Sequence, residues 1–405
     1  MRFARRTVAA LQRSQLSVQA LTRLSSVVIF LLASWTDQPH LALVALQGTL
    51  LAIPYTLIEA LVGRPLSAGL VPAGWDLERW ARRAAVVTIV PVGAVAYLSA
   101  LIALPDVTPW SRLAMIAPVL LQLPLEAAFW STARTRSRQL ANLVPQLTAA
   151  GTLVAGAALA LTHQRLDVAA VPAQLLVLGW VWLRRGGAPD RTVRPPYLAS
   201  VRVGSAYCLA AGVDLSYSVA LPSVAGRIVG VDAIVVLRAM ELAFGPFHVA
   251  LSASTREDIV GGRASRFLTG TRVFTGVLLV AVSAAVLGSS WVRGVLADEL
   301  TRVAVGVIAL FCVYKAMLAV STWLSVRHMI RAAPRRFLAS AVGSRVVAFG
   351  GLAVSIAVVH QVSGLFLQLA VTEAAVVVWY VLRARGTPPQ VEPERVTTLD
   401  PAASA

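Results

Sequence analysis

Apolar stretches of roughly 20 residues, each long enough to cross a ~30 Å hydrocarbon layer as a helix, recur from one end of the chain to the other. Hydropathy places six spans in the first half, at about 16–35, 41–62, 84–104, 112–132, 141–162 and 168–183. Six more follow, near 203–222, 231–252, 273–291, 302–325, 337–359 and 363–382. The connections alternate between short turns such as TDQPH, PDVTP and HQRLD and longer linkers that collect arginine: 63–83, 134–138, 184–202, 253–272 and 326–336. Arg2, Arg5, Arg6 and Arg13 precede the first span, and Arg383 and Arg385 follow the last. An even number of crossings therefore leaves both termini on the arginine-rich side, which the bilayer's preference for basic residues makes the cytoplasm.

The expected fold class is all-α, a polytopic membrane protein of about twelve transmembrane helices. A basic cytoplasmic N-terminus (1–15) leads into an N-terminal six-helix bundle (16–183), a cytoplasmic linker (184–202) and a C-terminal six-helix bundle (203–385). The run 386–405, rich in Pro, Thr, Glu and Ala, has too little apolar content to fold and reads as a disordered tail. No residue-level repeat relates the halves. Two six-helix halves about a polar linker are nonetheless what a transporter built from structural repeats would show.

Composition removes the soluble alternatives. Of 405 residues, 57% are hydrophobic and 14% charged, against about 25% charged in a soluble domain. The net charge of +17 would suggest nucleic acid in a soluble protein, but these arginines sit in loops between apolar runs, where membrane topology accounts for them. Cys208 and Cys312 lie inside apolar runs and read as small buried hydrophobes. The first apolar stretch leads into another of its kind, so no removable signal peptide is expected. There is no GxxxxGK[ST] loop, no HExxH cluster among the five scattered histidines, and no sizeable loop that could house a membrane enzyme's acidic motif. No catalytic residue, metal or cofactor is expected. GRPLSAGLVPAGWDLERWARR, between the second and third spans, does not match the Gly/Asp/Arg signature of major-facilitator carriers.

Two stretches carry a family likeness. SVQALTRLSSVVIFLLASWTDQPHLALVALQGTLLAIPYTLIEALVGRPLSA, at 17–68, resembles the opening of bacterial polysaccharide flippases of the multidrug/oligosaccharidyl-lipid/polysaccharide exporter superfamily, with ALVGRP at 60–65 similar to the turn after the second helix. GRIVGVDAIVVLRAMELAFGPFHVALSAS, at 226–254, resembles the seventh-to-eighth helix region of the same family. The resemblance implies a V-shaped pair of bundles around a central cavity that opens alternately to each side. It implies a flippase in the bacterial plasma membrane that carries a polyprenyl-diphosphate-linked oligosaccharide, with membrane lipids and glycan polymerases or glycosyltransferases as partners. An ion-coupled multidrug exporter of the same architecture is the alternative, and a non-transporting scaffold of a glycan-assembly complex the third.

Charges inside apolar spans are expensive and mark interior or functional positions. Lys315, the only lysine, has no partner within a helical turn; a diphosphate could use its charge, or it could pair with Asp214, Glu126 or Glu373. Arg238 and Glu241, three apart on the eighth span, share a face as a structural pair or a cavity site. Arg345 and Arg23 are cavity cations unless they snorkel to the interface. Asp214 could hold a coupling ion or neutralise Lys315 or Arg238. Glu126 and Glu373 have no discriminating context, and Glu59 and Arg64 form an interfacial pair. Among the span prolines, Pro54 and Pro246 each fall in the second helix of a half, where each can kink it.

Overall fold

A computed structural model of the chain describes residues 15–37, 40–67, 69–72, 74–135, 138–183, 193, 202–261, 270–331, 334–358 and 361–385. The basic N-terminus, most of the linker 184–202 and the tail 386–405 lie outside the described residues. What is described is almost wholly helical, because a backbone crossing hydrocarbon must satisfy its own polar groups. In the first half the helices are α1 (Gln15–Thr36), α2 (Leu41–Leu50), α3 (Ala52–Ile58), α4 (Arg64–Ser67), α5 (Leu77–Ala103), α6 (Pro109–Thr135), α7 (Arg138–Leu161) and α8 (Ala170–Leu183). In the second they are α9 (Ser205–Ile228), α10 (Val231–Ala243), α11 (Gly245–Gly261), α12 (Gly270–Gly288), α13 (Ser290–Leu296), α14 (Asp298–Thr301), α15 (Val305–Arg331), α16 (Pro334–Val358) and α17 (Val362–Arg385).

Among the described residues, ten helical stretches are long and apolar enough to cross a membrane, and twelve if each of two bent pairs counts as one span. The eighth span is broken: α10 and α11 meet at 66° across Phe244, two residues before Pro246. Pro246 has no N–H for the Leu242 carbonyl. The second span is interrupted at Leu51, three residues before Pro54, and resumes through a π-helical turn at Glu59–Gly63. Pro91, Pro118, Pro124, Pro145 and Pro222 lie within unbroken helices. The ninth span is not the straight helix that hydropathy suggests; α12 and α13 turn by 87° where Ser289 caps α13, accepting from the Val292 N–H at 3.5 Å.

The helices form two six-span bundles. In the first, α5 packs on α6, α7 on α8 and α1 on α7; in the second, α17 packs on α15 and α16, and α9 on α16. The lobes meet chiefly along α5 with α9, α2 with α10, and α1 with α11, with smaller contacts of α9 on α3 and of α11 on α4. Ser99 and Ser223 share a 2.7 Å hydrogen bond across the first of these. Outward-facing apolar side chains such as Val90, Val154, Leu176 and Val346 are exposed, and polar ones are drawn inside. Trp35, Trp110, Trp182 and Trp291 stand exposed at helix ends, the level of an interfacial aromatic belt. At the arginine-rich end, Val193 of the central linker bridges to Trp75, with the Asp76 N–H donating to its carbonyl at 3.2 Å and its own N–H to Gly74 at 3.4 Å.

Candidate functional site

The N-terminal lobe supplies most of the wall of a cavity of about 330 Å³, to which α10 and α11 of the other lobe add Arg238, Ser252 and Thr255. Its size falls at the lower end of the range for ligand pockets. The wall is mixed, with Ile29, Phe30, Val44 and Leu51 beside hydroxyls and amides. α1 contributes Thr22, Ser25 and Ser26, α2 contributes Gln47, α6 contributes Gln122, and α7 and α8 add Thr148, Thr152 and Gln174. The Thr148 and Thr152 hydroxyls donate back to carbonyls one turn earlier, at 2.9 and 2.8 Å, which leaves their lone pairs to face other groups. Gln174 donates to the Pro118 carbonyl at 2.9 Å and to Gln122 at 3.1 Å. Gln122 in turn donates to Glu126 at 3.3 Å, so Glu126 anchors the end of an amide chain that leads away from the cavity.

The end of this lobe remote from the arginine-rich face is sealed by a polar cap. Arg165 grips Asp167 with two hydrogen bonds, at 3.0 and 2.6 Å, and reaches Ser111 at 2.9 Å. The Asp167 carboxylate raises the Arg165 pKa above its ordinary value. Asp37 accepts the Leu166 N–H at 3.1 Å and stands 2.6 Å from His40. Gln47 donates to the Met115 and Asp167 carbonyls at 2.8 and 2.5 Å, tying the cavity wall to the cap. Leu166 and Ala169 are buried beneath it, whereas the half-exposed wall residues Gln19, Thr22, Arg23 and Tyr55 lie toward the arginine-rich end.

Two cations line the cavity, Arg23 on α1 and Arg238 on α10. Arg23 makes no hydrogen bond or ion pair among the described residues. Arg238, 4% exposed, crosses the lobe interface and donates to Ser26 at 2.6 Å. One turn along α10, Glu241 stands 3.6 Å from Arg238 and 3.5 Å from Lys315. The acid is shared between two cations, and the Arg23, Arg238, Lys315 and Glu241 group keeps an excess of positive charge. Glu59, at the arginine-rich rim, pairs with Arg64 at 3.2 Å.

Lys315 does not line this cavity. It is 1% exposed, with its ammonium 4.9 Å from the ring centroids of both Phe311 and Tyr314. Its carboxylate partner is Glu241, a residue 74 positions away, and not Asp214, Glu126 or Glu373. Asp214 pairs instead with Arg345 at 2.6 Å, joining α9 to α16 inside the C-terminal lobe, with the guanidinium 5.5 Å over Tyr217. Glu373 is 1% exposed and accepts from Ser321, joining α17 to α15. The cavity thus takes in Arg23 and Arg238 of the expected residues. Sequence reasoning missed Ser26, Gly48, Gln47, Gln174 and Asp167. The amides carried a signal, being polar residues in apolar spans; Gly48 carried none. Among the described residues no cluster of three or more His, Cys, Asp or Glu could hold a metal ion.

No family model and no curated protein matches the sequence. Solved structures do match in fold. One is a multidrug resistance transporter of the MATE family of the MOP superfamily in an inward-facing conformation: 13% identical, TM-score 0.63, covering 93% of this chain and 97% of that one. A second is the MATE multidrug transporter DinF-BH in complex with R6G: 16% identical, TM-score 0.62, covering 94% and 95% of the two chains. A third is a MOP superfamily transporter from Pyrococcus furiosus, described as having a binding pocket of reverse polarity that suggests a different function: 13% identical, TM-score 0.52, covering 93% and 94%. At these identities the likeness establishes the fold, two six-helix bundles over nearly the whole chain.

Proposed function

We propose that this chain is a carrier that moves bulky amphiphiles across a membrane by alternating access of its two lobes, and that its cargo bears an anion. The transporter fold supports the first part, and with it the reading as a carrier rather than an enzyme. The observation that carries the second is the cavity itself, an amide- and hydroxyl-lined space in which Arg23 and Arg238 are the charges and the acid at the rim is already paired with Arg64. A cation would meet repulsion there in a medium of low dielectric. An anion would gain charge-assisted hydrogen bonds.

The solved neighbours described as multidrug transporters favour a second reading, an ion-coupled exporter of organic cations. That reading needs an interior acid not held by a cation; Asp214 holds Arg345 and Glu241 holds Arg238 and Lys315, which leaves Glu373, hydrogen-bonded to Ser321, as a candidate outside the cavity. A MOP transporter described as having a binding pocket of reverse polarity is a precedent for pocket polarity varying on this fold. A polyprenyl-diphosphate-linked oligosaccharide is one anionic amphiphile of the right kind; its support is the family resemblance of 17–68 and 226–254 together with the cavity's charge. In this reading the arginine-rich face lies in the cytoplasm of a bacterial cell.

Reconstituted vesicles test it. Wild-type protein is expected to translocate a fluorescent lipid-linked oligosaccharide, and Arg23→Gln to do so about tenfold more slowly, the loss of roughly one charge-assisted hydrogen bond. Proton-coupled efflux of an organic cation, with no movement of the anionic lipid, would overturn the proposal in favour of the second reading. Dispensable interior charges and no movement of either probe would point to a scaffold.

A further inference from the structure

We propose that Arg238 is a latch between the lobes: its guanidinium, carried by α10, plugs a notch on the N-terminal lobe made by Gly48 and Ser26, and leaves that notch when the lobes separate. The notch is shaped for it. A β-carbon on Gly48 would stand 2.5–2.6 Å from Nη2, Cζ and Nε of Arg238, so the guanidinium lies against bare backbone and a methyl there would displace it. Ser26, on the neighbouring helix of the same lobe, accepts from Nη2 at 2.6 Å.

The other side of the guanidinium faces Glu241 on its own helix, 3.6 Å from Nη1. Withdrawal therefore leaves Arg238 beside a carboxylate that travels with it, and no charge is stranded in hydrocarbon. Lys315, on the second oxygen of Glu241, fixes that carboxylate in place for the return stroke. The remaining side-chain hydrogen bond described between the lobes, Ser99 with Ser223, is neutral at both ends. Of these two side-chain hydrogen bonds described between the lobes, the one made by Arg238 is charged. The inference concerns how the lobes are held and stands whatever the cargo.

Spin labels at Asp106 and Asp232, both exposed, and at Arg82 and Arg327 on the arginine-rich side report the separation of the lobes. The labels go into a background with Cys208→Ser and Cys312→Ser, and pulsed electron resonance is recorded in cargo-free proteoliposomes. Arg238→Gln and Ser26→Ala are each expected to raise the ratio of separated to closed lobes about fivefold, the effect of losing one interhelical hydrogen bond in a membrane. Gly48→Ala should do the same while keeping every charge. Unchanged distance distributions in Arg238→Gln and Ser26→Ala overturn the latch, even if Gly48→Ala does not fold. Because no cargo is present, failure of the transport assay and failure of the latch read out separately.

Discussion

The two lobes are built from the same number of spans yet spend their interior polarity differently. In the N-terminal lobe uncharged amides and hydroxyls from six helices surround a space whose own cation is Arg23, and the ion pairs stand at its ends, Arg165 with Asp167 in the cap and Glu59 with Arg64 at the rim. In the C-terminal lobe the ions are drawn into the packing itself, where Arg345 with Asp214 and Glu373 with Ser321 tie helix to helix. Neutral polar groups can face water or cargo at little cost, whereas a buried charge must be matched by a partner. In the proposed carrier, the first lobe holds the cargo and the second stays rigid while it does.

The comparison breaks first at Asp214. Asp214→Ala leaves Arg345 with an uncompensated charge and should lower stability by about 3 kcal/mol, read as a fall in the melting temperature in detergent, while Asp214→Leu with Arg345→Met recovers most of it. If the single variant melts like wild type, the C-terminal ions are not structural. Asp167→Ala should cost about 2 kcal/mol by stripping Arg165 of its charged partner, and it should make the cavity end near Leu166 reactive to a thiol reagent when a cysteine is placed at Ala169. Gly63→Ala pushes a methyl into the Trp130 ring, which a β-carbon would meet at 2.8 Å, and should cost about 1–2 kcal/mol as overpacking. Ser99→Ala, which removes a single neutral bond between the lobes, should cost about 0.6 kcal/mol. Smallest of all, Arg23→Gln should change the stability by less than about 0.5 kcal/mol, read as an almost unshifted melting temperature, because this cation makes no hydrogen bond or ion pair among the described residues; a large drop would place it in the lobe's framework.

The spans were legible because crossing a bilayer demands length and apolarity, both of which are local properties of sequence. The breaks at Phe244 and Leu51 were legible through Pro246 and Pro54, since a missing N–H acts on its own helix. The 87° corner after Gly288 was less so: Gly288, Ser289 and Ser290 mark a breaking point, but hydropathy averages over it. Pairing between spans was the least accessible. Lys315 could be seen to need a carboxylate, yet which one it meets depends on the rotation of α15 against α10, and Glu241 had already been assigned to Arg238 by its spacing. The cavity's position in one lobe escaped for the same reason: Gln47, Gln122 and Gln174 converge only after three separate helices have packed.

The bridge at Val193 has a mechanical consequence. With Val193 held against Trp75, the covalent length of chain from there to Arg202 limits their separation to roughly 30 Å. Cutting the backbone downstream of the stitch would lift that limit and leave the lobes joined by the helices that pack across their seam.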